Sequence, residues 1–102
     1  MPWVKACEES DVPPGASKIV QIRQWELSLF HLDDGIYCID NVCPHHGGPL
    51  AEGFIRDGHV LCPWHAWEFN IRSGIMSFNK DVCVSTFPCR IEKGEIWVEA
   101  PE

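Results

Sequence analysis

Two short loops constrain this chain more than anything else in it. The first reads Cys43-Pro44-His45-His46-Gly47-Gly48-Pro49-Leu50, the second Cys62-Pro63-Trp64-His65-Ala66-Trp67-Glu68-Phe69. Each offers one cysteine and one histidine, Cys43 with His45 and Cys62 with His65, and sixteen residues, 46 to 61, separate the pairs. A single centre bound by both pairs needs the loops side by side, and the rest of the chain is organised around that. Thiolates and imidazoles together suit zinc, copper or an iron–sulfur cluster. Zinc fingers usually pair like with like, Cys-x2-Cys and His-x3-His. Here each half mixes the two ligand types. The blander reading makes the cysteines small buried hydrophobes and the histidines plain loop residues. It requires four ligand-type residues to fall into two mixed pairs by accident.

The rest of the composition bounds the answer. A length of 102 residues is one domain's worth of core. Aromatic residues reach 11% of the chain, which favours an aromatic-rich β core. No apolar run is long enough for a transmembrane helix. The start, Met1-Pro2-Trp3-Val4-Lys5, has no basic-then-apolar signal pattern, so a soluble protein of the cytoplasm is expected. Of six cysteines, Cys7, Cys38, Cys83 and Cys89 stand outside the loops in strand-like surroundings and are expected to be reduced and buried. A net charge of −7 argues against nucleic acid as partner. It either steers the protein toward a basic patch on a protein partner or simply keeps it in solution.

Read in order, the chain alternates short strands and turns. Trp3 to Cys7 and Lys18 to Arg23 read as strands, with Pro13-Pro14-Gly15 in the loop between them. Trp25 to Leu32 alternates Trp25, Leu27 and Leu29 against Glu26 and Ser28 before the pattern blurs, a half-buried strand. Asp33-Asp34-Gly35 turns the chain into Ile36–Ile39, which leads to the first loop. Phe54 to Leu61 is strand, Asp-Gly turn, strand, and runs into Cys62. Trp67 to Ile71 is a strand with Trp67, Phe69 and Ile71 on one face. Ile75 to Val84 is a third, irregular loop, and Phe87 to Glu92 with Glu95 to Glu99 form a last hairpin about Lys93-Gly94. No capped helical pattern stands out. The fold expected is all-β.

The paired loops resemble the Rieske family, in which Cys-x-His and Cys-x2-His loops clamp one [2Fe–2S] cluster. The resemblance implies that Cys43, His45, Cys62 and His65 bind the cluster, Cys43 and Cys62 on the inner iron, His45 and His65 on the outer. It implies an antiparallel β-sheet domain, 1–102, with a small cluster-binding subdomain at about 41–76. Two thiolates bring a 2+ diferric core to zero, whereas four would leave it at 2−, so histidine ligation raises the reduction potential. A surface imidazole gives a docked partner a short electron path, and its free nitrogen can carry a proton.

Neighbouring residues have roles in this picture. Gly47 and Gly48 admit close backbone amides, and Pro44 and Pro63 stiffen the loops. Trp64, Trp67 and Phe69 either shield the cluster or belong to the core, and core is the expectation for Trp67 and Phe69. His46 is expected to face solvent, and His31 and His59 are given no role. Gly48 and Trp64 stand where relatives from respiratory complexes carry a disulfide. Trp67 and Phe69 stand where those relatives carry serine and tyrosine hydroxyls. The chain is therefore similar to the soluble Rieske ferredoxins. The third loop lacks the proline that many relatives place over the cluster, and Phe78 is the candidate substitute. The function implied is an electron carrier, likewise monomeric and without catalytic residues of its own, between a flavoprotein reductase and a terminal oxygenase. The alternatives are a small subunit of a nitrite-reductase-like oxidoreductase and a redox or iron sensor.

Overall fold

The computed structural model describes residues 3–42, 49–63 and 67–100. They contain ten strands: β1 (Trp3–Glu8), β2 (Ser17–Ile22), β3 (Trp25–Leu32), β4 (Gly35–Asp40), β5 (Phe54–Arg56), β6 (His59–Leu61), β7 (Glu68–Asn70), β8 (Thr86–Phe87), β9 (Cys89–Glu92) and β10 (Glu95–Glu99). The only helical pieces among the described residues are single 3-10 turns at Glu9–Asp11 and Leu50–Glu52. Pairing is antiparallel throughout and builds three sheets, ordered β1-β10-β9, β2-β3-β4-β8 and β5-β6-β7. None of the described helices is long and apolar enough to cross a membrane.

The middle sheet organises the molecule, and it corrects the expectation of a half-buried strand. On β3, Leu27 and Leu29 point into one core with Val20, Ile22, Cys38, Phe87, Ile96 and Val98. Phe30 and Leu32 point the other way, into a second core with Ile39, Val60, Phe69, Ile71 and Val84. Leu27, Ser28, Leu29 and Phe30 are all fully buried. The alternation blurs at Phe30 because both faces are covered, one by the terminal sheet and one by the third sheet. Ser28 lies on the second face and donates its hydroxyl to the Ile39 carbonyl at 3.2 Å, which satisfies it there.

Two further expectations change. The run Phe87 to Glu92 is not one strand. It is broken at Pro88, with β8 pairing β4 in the middle sheet and β9 pairing β10 in the terminal sheet. Proline has no N–H for a ladder, so the chain changes sheets there. The cysteines outside the loops also differ from one another. Cys38 is buried, Cys7 and Cys89 are half-buried, and Cys83 is exposed on the third loop. Cys83 escapes the core because its neighbours Val82 and Val84 take the inward positions. All four thiols, and that of Cys62, are free.

The third sheet is short but firmly attached. Asp57 and Gly58, at φ 51° and 76°, form the tight turn between β5 and β6 that Asp-Gly permits. Arg72, just past β7, reaches back to the β3–β4 turn. Its Nη2 and Nε donate to the Asp34 carboxylate at 2.8 and 3.2 Å. The same guanidinium lies 5.1 Å from the centroid of Tyr37. The pair is exposed, so its value is geometric: it ties the two sheets together.

Candidate metal centre

The strands deliver the chain into both ligand loops through hydrogen-bonded stems. At the first loop, Val42 and Pro49 form an isolated antiparallel bridge, and the Leu50 amide donates to the Asn41 carbonyl at 2.8 Å. Asn41 itself is fully buried. Its Nδ2 donates to Glu26 Oε2 at 2.7 Å, its Oδ1 accepts the Ala51 amide at 2.8 Å, and its own amide donates to the Glu26 carbonyl at 3.0 Å. One side chain therefore joins β3 to the entry and exit of the loop. The sequence reading passed over Asn41. Its signal is faint: a polar residue two positions before Cys43, at the end of an apolar strand.

At the second loop, the Cys62 amide donates to the Trp67 carbonyl at 2.8 Å and closes the stem between β6 and β7. Cys62 is nearly inaccessible and belongs to the same apolar cluster as Leu50, Val60 and Phe69. Trp67 is packed at the edge of that cluster.

The stems meet at Gly53. A Cβ there would collide with the Leu61 carbonyl oxygen, and would lie 3.0 Å from the Leu61 carbonyl carbon and 3.2 Å from the Leu50 carbonyl oxygen. The chain leaving the first loop thus lies hard against the strand that enters the second, as it runs into the antiparallel β5–β6 pair. Only a residue without a side chain permits this approach. The exit of the first loop and the strand entering the second are thus held in backbone-on-backbone contact.

Of the four predicted ligands, Cys62 is described; Cys43, His45 and His65 lie outside the described residues, as do His46, Gly47, Gly48 and Trp64. Among the described residues, no group of three or more His, Cys, Asp or Glu side chains could hold a metal ion. What is described fits an iron–sulfur cluster. A ligating Cys62 is a thiolate, and a thiolate in an apolar cluster needs a compensating positive charge. A 2+ iron–sulfur core supplies it. Phe69 and Ile71 are buried as core, as expected. Phe78 is 78% exposed and does not join the core, so the expectation that it covers the centre gains nothing from its packing. His31 and His59 are held locally, each ring Nδ1 against a backbone carbonyl, Val12 at 2.7 Å and Asp57 at 2.8 Å.

The family model for the Rieske [2Fe-2S] domain matches residues 2–88. The 3-phenylpropionate/cinnamic acid dioxygenase ferredoxin subunit of Shigella flexneri is 30% identical over 106 residues, covering 97% of this chain and 94% of its own. Among solved structures, the ferredoxin-bearing complex of carbazole 1,9a-dioxygenase contains a chain 28% identical, with a TM-score of 0.84 and coverage of 94% and 91%. A protein from Mycobacterium tuberculosis, assigned as the small subunit of an NADH-dependent nitrite reductase, is also 28% identical, with a TM-score of 0.87 and coverage of 95% and 93%.

Proposed function

The chain belongs to the Rieske [2Fe-2S] domain family, and from that membership we propose that it passes single electrons from a flavoprotein reductase to a terminal oxygenase through Cys43, His45, Cys62 and His65. A Rieske domain holds one [2Fe–2S] cluster, which supplies a one-electron couple. The observation that supports the ligand assignment is the close approach of the two loop stems at Gly53 and Leu61, with Cys62 buried beside it. The chain's own residues do the positioning. Asn41 holds the exit of the first loop, the Cys62–Trp67 hydrogen bond closes the second, and Phe69 and Leu50 exclude water from the inner side. The cluster-binding subdomain is about 41–76, set within a single domain, 1–102. The protein works in the cytoplasm as a monomer.

Acid-labile sulfide and iron in equal amounts, two of each per chain, are expected in purified protein. Zinc without sulfide would overturn the reading. Cys43→Ser should abolish the visible absorbance, and Cys7→Ser, on β1, should leave it. The second reading is a small subunit of a nitrite-reductase-like enzyme. It draws support from the exposed apolar side chains Val42, Ile75 and Phe78, since a permanent subunit buries such residues in its complex. Recovery from its native host in a stable stoichiometric complex would favour that reading; recovery alone favours the carrier.

A further inference from the structure

Phe54 is the most open large apolar side chain among the described residues, 81% exposed. Strand register puts it there. Phe54 faces Leu61 across β5 and β6, and Leu61 faces Glu68 across β6 and β7. The next pair, Ile55 and Val60, turns inward to the second core. Phe54, Leu61 and Glu68 therefore share an outward row, whose middle member, Leu61, directly precedes Cys62. A surface recess of about 290 Å³ is lined by Phe54, Ile55, Arg56 and Leu61. A ring this open contributes little to folding, and a glycine pinned behind it leaves β5 little freedom to tuck it away.

We propose that Phe54 is the apolar anchor on which a redox protein with a basic rim docks, an apolar side chain of the partner entering the recess beside it. The proposal rests on the carrier reading. Electron transfer requires the partner to cover the surface around the ligand loops, and the outer face of the third sheet adjoins one of them. Charge selects the rim. Glu52 and Asp57 flank β5 in the sequence and Glu68 stands in the row of Phe54, three carboxylates against Arg56, which lines the recess with its guanidinium 3.6 Å from Glu68. The sign matches the net charge of −7. A second copy of this chain would oppose like charges here, so a basic partner fits and a self-dimer does not. One aromatic and one small recess suit a transient contact, in which few residues carry most of the binding energy.

The test uses the cluster-loaded full chain, reduced, and follows its reoxidation by stopped flow with two acceptors. Cytochrome c is a basic redox protein; ferricyanide is a small anion that needs no docking face. Phe54→Ala should slow the second-order reaction with cytochrome c about tenfold, the effect of truncating one interface anchor. Its ferricyanide rate, visible spectrum and midpoint potential should match wild type. Phe54→Tyr should restore the cytochrome c rate, and Ile91→Ser, an exposed apolar position on the terminal sheet, should not disturb it. An unchanged cytochrome c rate in Phe54→Ala overturns the docking proposal alone, as does an equal loss with ferricyanide. Wild-type protein that reacts with ferricyanide but not with cytochrome c counts against the docking proposal and the carrier reading together.

Discussion

Replacing Gly53 by alanine adds one methyl group where the exit of the first ligand loop lies against the strand entering the second. Backbone conformation does not forbid it: Gly53 sits at φ −81°, ψ 178°, ordinary extended geometry. On that ground alone alanine would stabilise the protein by about 0.4–1 kcal/mol, because it restricts the unfolded chain. Space gives the opposite sign. The new methyl meets the Leu61 carbonyl on one side and, at 3.2 Å, the Leu50 carbonyl oxygen on the other. Both obstacles are backbone, so no flexible side chain can yield. Overpacking of this kind costs about 1–3 kcal/mol. The difference leaves a net destabilisation centred on about 1.3 kcal/mol and reaching about 2.6. Urea unfolding followed by far-ultraviolet circular dichroism, with the visible absorbance of the cluster recorded in parallel, measures it. The midpoint should fall, and the visible absorbance should bleach before the sheet signal is lost, because the stems part first. A midpoint equal to or above that of wild type would refute the close approach and with it the account of how the loops are brought together.

Three other outcomes are expected. Asn41→Leu keeps the volume but strands the buried Ala51 amide, worth about 1–3 kcal/mol without a partner, while the exposed Glu26 carboxylate turns to water, so unfolding should move by at least the cost of that amide. Stability should fall in alkali. Burial raises the thiol of Cys38, and raises that of Cys89 from 9.0 to about 12. The native state thus keeps protons that the unfolded chain releases above pH 9, and the loss is about 1.4 kcal/mol per pH unit for each thiol. Cys89 Sγ donates to the Ile36 carbonyl at 3.2 Å, as a protonated thiol must. Cys89→Ser should flatten the slope of denaturation midpoint against pH between 9 and 11 (an unaltered slope rules this out). The midpoint potential should lie near the low end of a span of roughly −150 to +300 mV, because Phe69 brings no hydroxyl to the cluster that contains Cys62. Phe69→Tyr should raise it, and voltammetry showing no change would mean the ring edge faces elsewhere.

Much of this protein is legible in its sequence because the signals are local. Asp57-Gly58 and Lys93-Gly94 announce their turns through residues that accept positive φ, and both turns are found. Val20 and Ile22, and Phe69 and Ile71, are apolar at strand spacing and are buried. The two mixed Cys–His pairs identify the family, because ligand type and spacing are properties of a few adjacent residues.

What the tertiary structure alone decides is everything that depends on a second segment. Whether Phe30 faces water or core depends on the third sheet lying over it, and alternation within β3 carries no record of that sheet. Pro88 divides one apolar run between two sheets because β4 and β10 compete for its two halves. Asn41 reads as an ordinary loop residue until Glu26 and Ala51 are placed around it. Gly53 reads as one more turn glycine. Its need for a bare backbone arises from the Leu61 carbonyl eight residues on, and a steric limit between two segments exists only once both have been folded into contact.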